Sequence, residues 1–579
     1  MSDDEVPGSP TPTPPPTKTT IGLSFGNTNS SIAYTGPDGK AEVIANEEGD
    51  RQIPSILSYV SGEEYTGTQA KAQIVRNPTN TVAFFRDFLG KGFGNVDPTA
   101  CHGSAHPKKL GEDGVGFVVK EGEGEEETEI SVEEVAVRHI KRLRQSATDY
   151  LGREVGSAVL TVPSDFTEEQ KSAVSKAASK AGLEIIQTIH EPVAALLAHD
   201  AKLLQSGEGD ESKHDEIVLV ADLGGIRSDI AVIASRGGIY TTLATAHDYE
   251  LGGSTLDKVL IEYAAKEFFK KNKSAGDPRE NARSVAKLTL EAEAVRKALS
   301  IGQNASFSIE SLIDGRDFTL AVPRTRYELL ANKVFASFTR FIEAAVQKAE
   351  LDILDIDTIL LTGGTSHTPK IAANLQSHFP STTTIIAPST SATATNPSEL
   401  AVRGAAIQAS LISEFEKEDI ESSTEAVVTV TPHTHHPIGI VLGNDSFAVI
   451  VPADTPVPAR RTAQIAVPAG GDVLIRLAEG VREIKVTKPE KAATNGTKDA
   501  EDSDEDSDEE DEEVRERVFK GKKVLAEAGI RGVKKFGKVE VQVNVQADLS
   551  VSLVCREVGG KGGVRGTIEK AQGMNGSAK

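Results

Sequence analysis

Residues 21–34 read IGLSFGNTNSSIAY, and residues 218–234 read VLVADLGGIRSDIAVIA. Each is an apolar run, a turn of small residues and a second β-prone run, the pattern of a tight hairpin. One such hairpin is common in any sheet protein. Two of them, one per lobe, can aim backbone N–H groups at a phosphate chain from opposite sides. The chain has no G-x-x-x-x-G-K-[ST] and no G-x-G-x-x-G after its first strand, so two other phosphate loops are excluded.

Outward from the hairpins, SAVLTV, EIVLVADL, SDIAVIA and TILLTGG read as strands, alternating with the helix candidates EEQKSAVSKAASKAG and SVAKLTLEAEAVRKALS. The alternation continues to GAAIQASLI near Ile412, which predicts an α/β domain over residues 20–413. Polar, acidic residues then predict a linker over 414–428. From 429 to 560 the runs become short and β-branched, with turn residues between them and no helix-length amphipathic stretch, as in an antiparallel β-sandwich. An acidic loop, 488–516, interrupts this module. It holds twelve acidic and no basic residues between Asp499 and Glu513. Residues 1–19 are proline-rich and are expected to be disordered, and the Gly-rich 561–579 to form a flexible tail.

The remaining composition narrows the function classes. The 579 residues carry a net charge of −23, which argues against unaided binding of nucleic acid. Two cysteines, Cys101 and Cys555, exclude a disulfide framework and fit a reducing compartment. The N-terminus lacks the basic and apolar regions of a secretory signal, and no apolar run approaches the ~20 residues of a membrane span. A cytosolic protein is expected. HTHH (433–436) alternates beside Pro432 and Pro437 without a supporting carboxylate or cysteine, so zinc is not expected there. Ser503 and Ser507 lie in acidic surroundings that suit acidophilic kinases.

Taken in order, IGLSFGNTNS, NPTNTVAFFRDFLG, AVLTVPSDFTEEQ, IHEPVAALLA, ADLGGIRSDIA, ELGGSTLD, EAEAVRKALS, LLTGGTSHTPK and NPSELAVRGAAIQA resemble the heat-shock protein seventy (DnaK-type) chaperones. The resemblance implies an actin-like ATPase of two lobes, followed by a β-sandwich peptide-binding domain. It further implies ATP and Mg2+ as ligands. Phosphate contacts fall at Asn27, Thr28, Asn29, Gly224, Gly225, Gly252 and Gly253. Glu293, Arg296, Lys297 and Ser300 share a helical face that would line the adenosine pocket, with Gly363 and Gly364 against base or ribose. Glu191, Asp222 and Asp229 match the carboxylates around the metal and the attacking water, the two aspartates acting through metal-bound water. Arg86 falls at the family's catalytic lysine.

Departures accompany the match. Ser24 replaces an aspartate, Asn27 a threonine, Ile226 a glycine and Arg227 a threonine, while His367 and Ser398 replace a base-side arginine and aspartate. Arg227 is expected to clamp phosphate without activating water. Binding rests on many backbone contacts and survives such losses better than hydrolysis does. The expectation is therefore ATP binding with slow or absent hydrolysis. The linker TEAVVTV is weak, and the β-module is expected to lack the family's helical lid. In this the chain resembles the atypical fungal member of the ribosome-associated complex. That resemblance implies a stable heterodimer with the J-domain protein zuotin, indirect ribosome contact, and stimulation of a second, ribosome-bound heat-shock chaperone. A working foldase and an ATP-independent scaffold are the two alternatives.

Overall fold

The computed structural model describes residues 19–101, 103–122, 126–206, 215–391, 394–413, 432–487, 514–560 and 563–568. The proline-rich start, the linker TEAVVTV, the acidic tract and Ser503 and Ser507 lie outside the described residues.

Two sheets of the same topology build the first part. In lobe one an antiparallel meander of Thr19–Phe25, Asn29–Thr35 and Ala41–Ile44 continues through the parallel strands Val155–Val162 and Glu184–His190. In lobe two the meander is Asp215–Leu223, Ser228–Arg236 and Ile239–Asp248, and the parallel strands are Thr358–Thr362 and Thr384–Ile386. Val155–Val162 is buried along its whole length, as a strand must be when both faces of its sheet are covered. The covering helices begin where the sequence supplies caps. Thr167 and Gln170 form a capping box on Glu168–Lys180, and the Asn281 side chain caps Ala282–Ile301. This is the actin-like arrangement that the motif order implies.

Helices Glu191–Ser206 and Leu400–Ile412 cross between the two sheets. Leu400 packs with Ala195, Leu196, Val218 and Val220 of lobe two, while Ala405, Ala409 and Ile412 pack with Val159 of lobe one. Small residues permit the crossing. A Cβ on Gly404 would collide with the Ala194 carbonyl, and one on Gly22 would lie 2.7 Å from the Val402 oxygen.

Two four-stranded antiparallel sheets make the second part, closing on Ile438, Val451, Leu477, Val541 and Cys555. Gly471–Thr487 and Val514–Val533 form a long hairpin paired out to Thr487 and Val514. Residues 514–516, expected in the acidic loop, are therefore strand. Gly563–Ile568 pairs with Val551–Glu557, so the expected tail begins as an edge strand. Thr19, assigned to the disordered start, pairs with Val155. His433 makes a single bridge to Pro456 and meets His435 edge-to-face at 5.0 Å, with no strand at that point. Cys101 and Cys555 are both buried and free.

Polar contacts seat the β-domain on lobe two. Arg482 Nη1 lies 2.6 Å from Asp355 Oδ2, Arg517 Nη2 lies 3.3 Å from Asp357 Oδ1, and Arg461 Nη2 lies 3.0 Å from Asp215 Oδ1. The Arg236 Nε donates to the Ala453 carbonyl at 3.1 Å. Among the described residues no helix is long and apolar enough to cross a membrane.

Candidate functional site

The two hairpins that opened the sequence share one pairing register. Ser24 pairs with Ser31 across the first, and Asp222 with Asp229 across the second. In each, a glycine N–H closes the turn onto a carbonyl three residues on: Gly26 to Asn29 at 3.1 Å and Gly224 to Arg227 at 2.9 Å. The turns face one another. A Cβ on Gly225 would lie 2.5 Å from the Thr28 Oγ1, so only glycine allows this approach. The N–H groups of Thr28 and Gly225 have no hydrogen-bond partner among the described residues. Unpaired donors converging from two sides are what a phosphate chain needs.

Other glycines of the expected cradle hold its shape. The Gly253 N–H donates to the Gly224 carbonyl at 3.0 Å and the Ser254 N–H to the Gly225 carbonyl at 2.7 Å. The Gly252 N–H donates to Thr255 Oγ1 at 3.4 Å and starts the helix Gly253–Lys271. Gly363 adopts φ +83°, and a Cβ there would lie 2.5 Å from the Leu223 carbonyl. Gly364 faces Ser398.

Beneath the turns lies a charged floor. Glu191 opens its helix and is buried, and Arg86 Nη1 reaches its Oε1 at 3.3 Å. Burial raises the Glu191 carboxyl to about 7, opposed by Arg86. Burial, with Glu191 and Asp229 close by, also pushes Asp222 well above the ordinary carboxylate range. Glu191 and Asp222 thus lie near enough to each other and to Asp229 to disfavour one another's charge, although among the described residues these three do not close to the spacing of metal ligands. Arg86 is anchored as well by Asp87 at 2.7 Å and the Phe25 carbonyl at 3.3 Å.

Arg227 departs from its expected role as a phosphate clamp. Its Nε donates to Asp229 Oδ2 at 2.8 Å and its Nη2 to Asp229 Oδ1, a bidentate pair. Nη2 also reaches Asp165 Oδ1 at 2.8 Å, and Nη1 reaches Asp87 Oδ2 at 3.4 Å. The guanidinium lies 4.7 Å from the Tyr249 ring centroid, and the Tyr249 hydroxyl donates to Asp165. His247 Nδ1 lies 2.7 Å from Asp229 Oδ1. Carboxylates therefore take the fork that was expected to meet phosphate. Asp87, Asp165, His247 and Tyr249 were not among the sequence candidates, although Asp87 and Asp165 lie within the motifs NPTNTVAFFRDFLG and AVLTVPSDFTEEQ.

On the expected adenosine face the four residues divide. Half-buried Glu293 lies 2.6 Å from both Lys71 Nζ and Lys297 Nζ. Although burial opposes it, these lysines hold its carboxyl down at about 2. Arg296 turns inward onto Asp257, at 2.6 Å, and the Ser300 hydroxyl donates to the Arg296 carbonyl at 3.2 Å. Lys297 stays exposed. Buried Asn27 accepts from the Asp87 N–H at 3.3 Å. On the base side, burial lowers the pKa of His367, whose Nε2 sits 3.1 Å from Asn396 Oδ1 and 3.2 Å from Ser398 Oγ.

A duplicated α/β fold with a phosphate hairpin in each lobe defines an actin-like nucleotide-binding domain, here joined to a β-sandwich. The chain belongs to the Hsp70 family: the profile described as "Hsp70 protein" matches residues 20–521. That family is chaperone-like and its ATPases generally use ATP and Mg2+. The chain is 44% identical to the ribosome-associated complex subunit SSZ1 of Saccharomyces cerevisiae, over 95% of this chain and 99% of that protein. It is 42% identical to the heat shock protein 70 homolog C57A7.12 of Schizosaccharomyces pombe, over 95% of this chain and 96% of that one. Human heat shock 70 kDa protein 14 is 33% identical over 77% of this chain and 84% of its own length.

Proposed function

We propose that the protein is a nucleotide-binding co-chaperone with little or no ATP hydrolysis, working in the cytosol within a ribosome-associated complex. Its constant partner is a J-domain protein of the zuotin type, held as a stable heterodimer. The pair stimulates a second, ribosome-bound chaperone acting on nascent chains. The yeast relative, a ribosome-associated complex subunit, and the near full-length match to it support this reading.

In the cleft, the free N–H groups of Thr28 and Gly225 and the neighbouring Asn27 and Asn29 would hold the phosphates, with Gly224, Gly252 and Gly253 shaping the turn. Glu293, Lys297, Ser300, Gly363 and Gly364 would frame the adenosine, and Arg296 would support that wall from behind. Asp222 would face Mg2+ through water, whereas Asp229, expected beside it, is taken up by Arg227 and His247. The ion would supply charge neutralisation of the phosphates.

One observation carries the impairment: Arg227 binds Asp229 bidentately while His247 Nδ1 shares the Oδ1 of the same carboxylate. Asp229 is thereby withdrawn from water orientation, and Ser24 contributes no charge opposite it. Each lost element of such a site costs about 2–4 kcal/mol of transition-state stabilisation. Purified protein should melt higher with millimolar Mg·ATP, by about 2.7 kcal/mol of added stability at 100 times the dissociation constant. In a single-turnover assay it should release phosphate far more slowly than is ordinary for the family, or not at all. Hydrolysis at a rate ordinary for the family, abolished by Glu191→Ala, would overturn the reading. Absence of a stoichiometric J-domain protein after native purification would remove its partner half.

A further inference from the structure

Arg227 sits where elements of both lobes meet. Its own hairpin, Asp229, His247 and Tyr249 belong to lobe two. Asp87 belongs to lobe one, in the single turn Arg86–Phe88, and so does Asp165, between Val155–Val162 and Glu168–Lys180. The bonds to Asp165 and Asp87, and the Tyr249 hydroxyl on Asp165, therefore all cross the cleft floor. Arg227 is 5% exposed. Its planar fork and its ring face are both engaged, so the cation is fixed rather than swinging in solvent.

Charge supports the same conclusion. Despite the cost of burial, Arg227 holds both Asp165 and Asp87 below the usual carboxylate range, with Arg86 the stronger influence on Asp87. Asp165, Asp229 and His247 stand close enough together to grip a metal ion. Arg227 Nη2 already lies on the facing oxygens of both aspartates, so a metal ion there would have to displace a guanidinium.

We propose that Arg227 is an interlobe latch: a built-in cation that ties the floor of the cleft shut across Asp87 and Asp165 without nucleotide. The lobes then stay closed in the apo protein, and nucleotide adds little closure of its own. This holds whether or not ATP is hydrolysed.

The test uses full-length protein with spin labels at Lys109→Cys and Lys273→Cys, exposed sites on lobes one and two, the native cysteines being buried. Pulsed dipolar spectroscopy should give the same narrow interlobe distance with and without Mg·ATP. Arg227→Gln should broaden and lengthen the apo distribution and make it contract on adding Mg·ATP. Asp165→Asn, on the opposite lobe, should do the same to a lesser degree, and it carries the test if Arg227→Gln does not fold. A background protein that is open without nucleotide and closes on binding it would overturn the proposal. So would Arg227→Gln, or Asp165→Asn in its place, that leaves the apo distances unchanged.

Discussion

Gly404→Ala probes the crossing of Glu191–Ser206 and Leu400–Ile412 that joins the lobes. Two terms oppose each other. Alanine inside a helix is favoured over glycine by about 1 kcal/mol. Against this, the new Cβ would lie 2.8 Å from the Ala194 Cα and collide with its carbonyl. Carbon atoms pack at about 3.5–4.0 Å, so the helices must part by roughly 1 Å along much of their contact. Overpacking of that kind costs about 1–3 kcal/mol, occasionally more, and here the obstacle is backbone that cannot rotate away. Because the nearest contacts of the new Cβ are all with Ala194 backbone, the overpacking cost falls at the upper end of that range. The net expectation is destabilisation by about 2 kcal/mol, and more for Gly404→Val, which loses most of the propensity gain. Urea unfolding followed by circular dichroism measures it. Ser410→Ala, on the exposed side of the same helix, is the control and should shift stability by no more than about 0.5 kcal/mol. A Gly404→Ala protein as stable as that control would show that the crossing is looser than the steric argument requires.

Two further outcomes follow from the charges. Glu191 holds its proton up to about 7 in the fold against 4.5 ordinarily, so folded protein binds more protons than unfolded protein between those values. Stability from this group is present at pH 4.5 and lost as pH rises through 7. The difference between Glu191→Gln and the parent should move in favour of the variant by up to about 3 kcal/mol between pH 5 and pH 8 in thermal melts; a pH-independent difference would refute the shift. Arg482→Ala combined with Arg517→Ala removes the ion pairs to Asp355 and Asp357, and small-angle scattering should show a larger radius of gyration as the β-domain leaves lobe two. Unchanged scattering would mean that Arg461 and Arg236 suffice.

The fold was legible because its signals are local and repeated. Apolar runs, turn glycines and caps such as Thr167 are read a few residues at a time, and nine motifs in one order fixed their arrangement. The strand Val514–Val533 escaped because much of it alternates charge and is held by Arg517 on lobe two, not by an apolar stripe. The latch escaped for a different reason. Arg227 is visible as a departure, and Asp87 and Asp165 fall within two of the nine motifs, yet nothing local ties either acid to the arginine. Only the approach of the lobes shows that these acids neutralise it.

The matching registers of the two hairpins set one half against the other. Ser24 and Ser31 occupy in one half the places that Asp222 and Asp229 occupy in the other. The lobe whose hairpin carries no acid at these places lends Asp87 and Asp165 to Arg227 of the other lobe. The two copies therefore depend on each other: giving the second hairpin the Asn29 of its twin at Arg227 would leave Asp87, Asp165 and Asp229 without the cation they share.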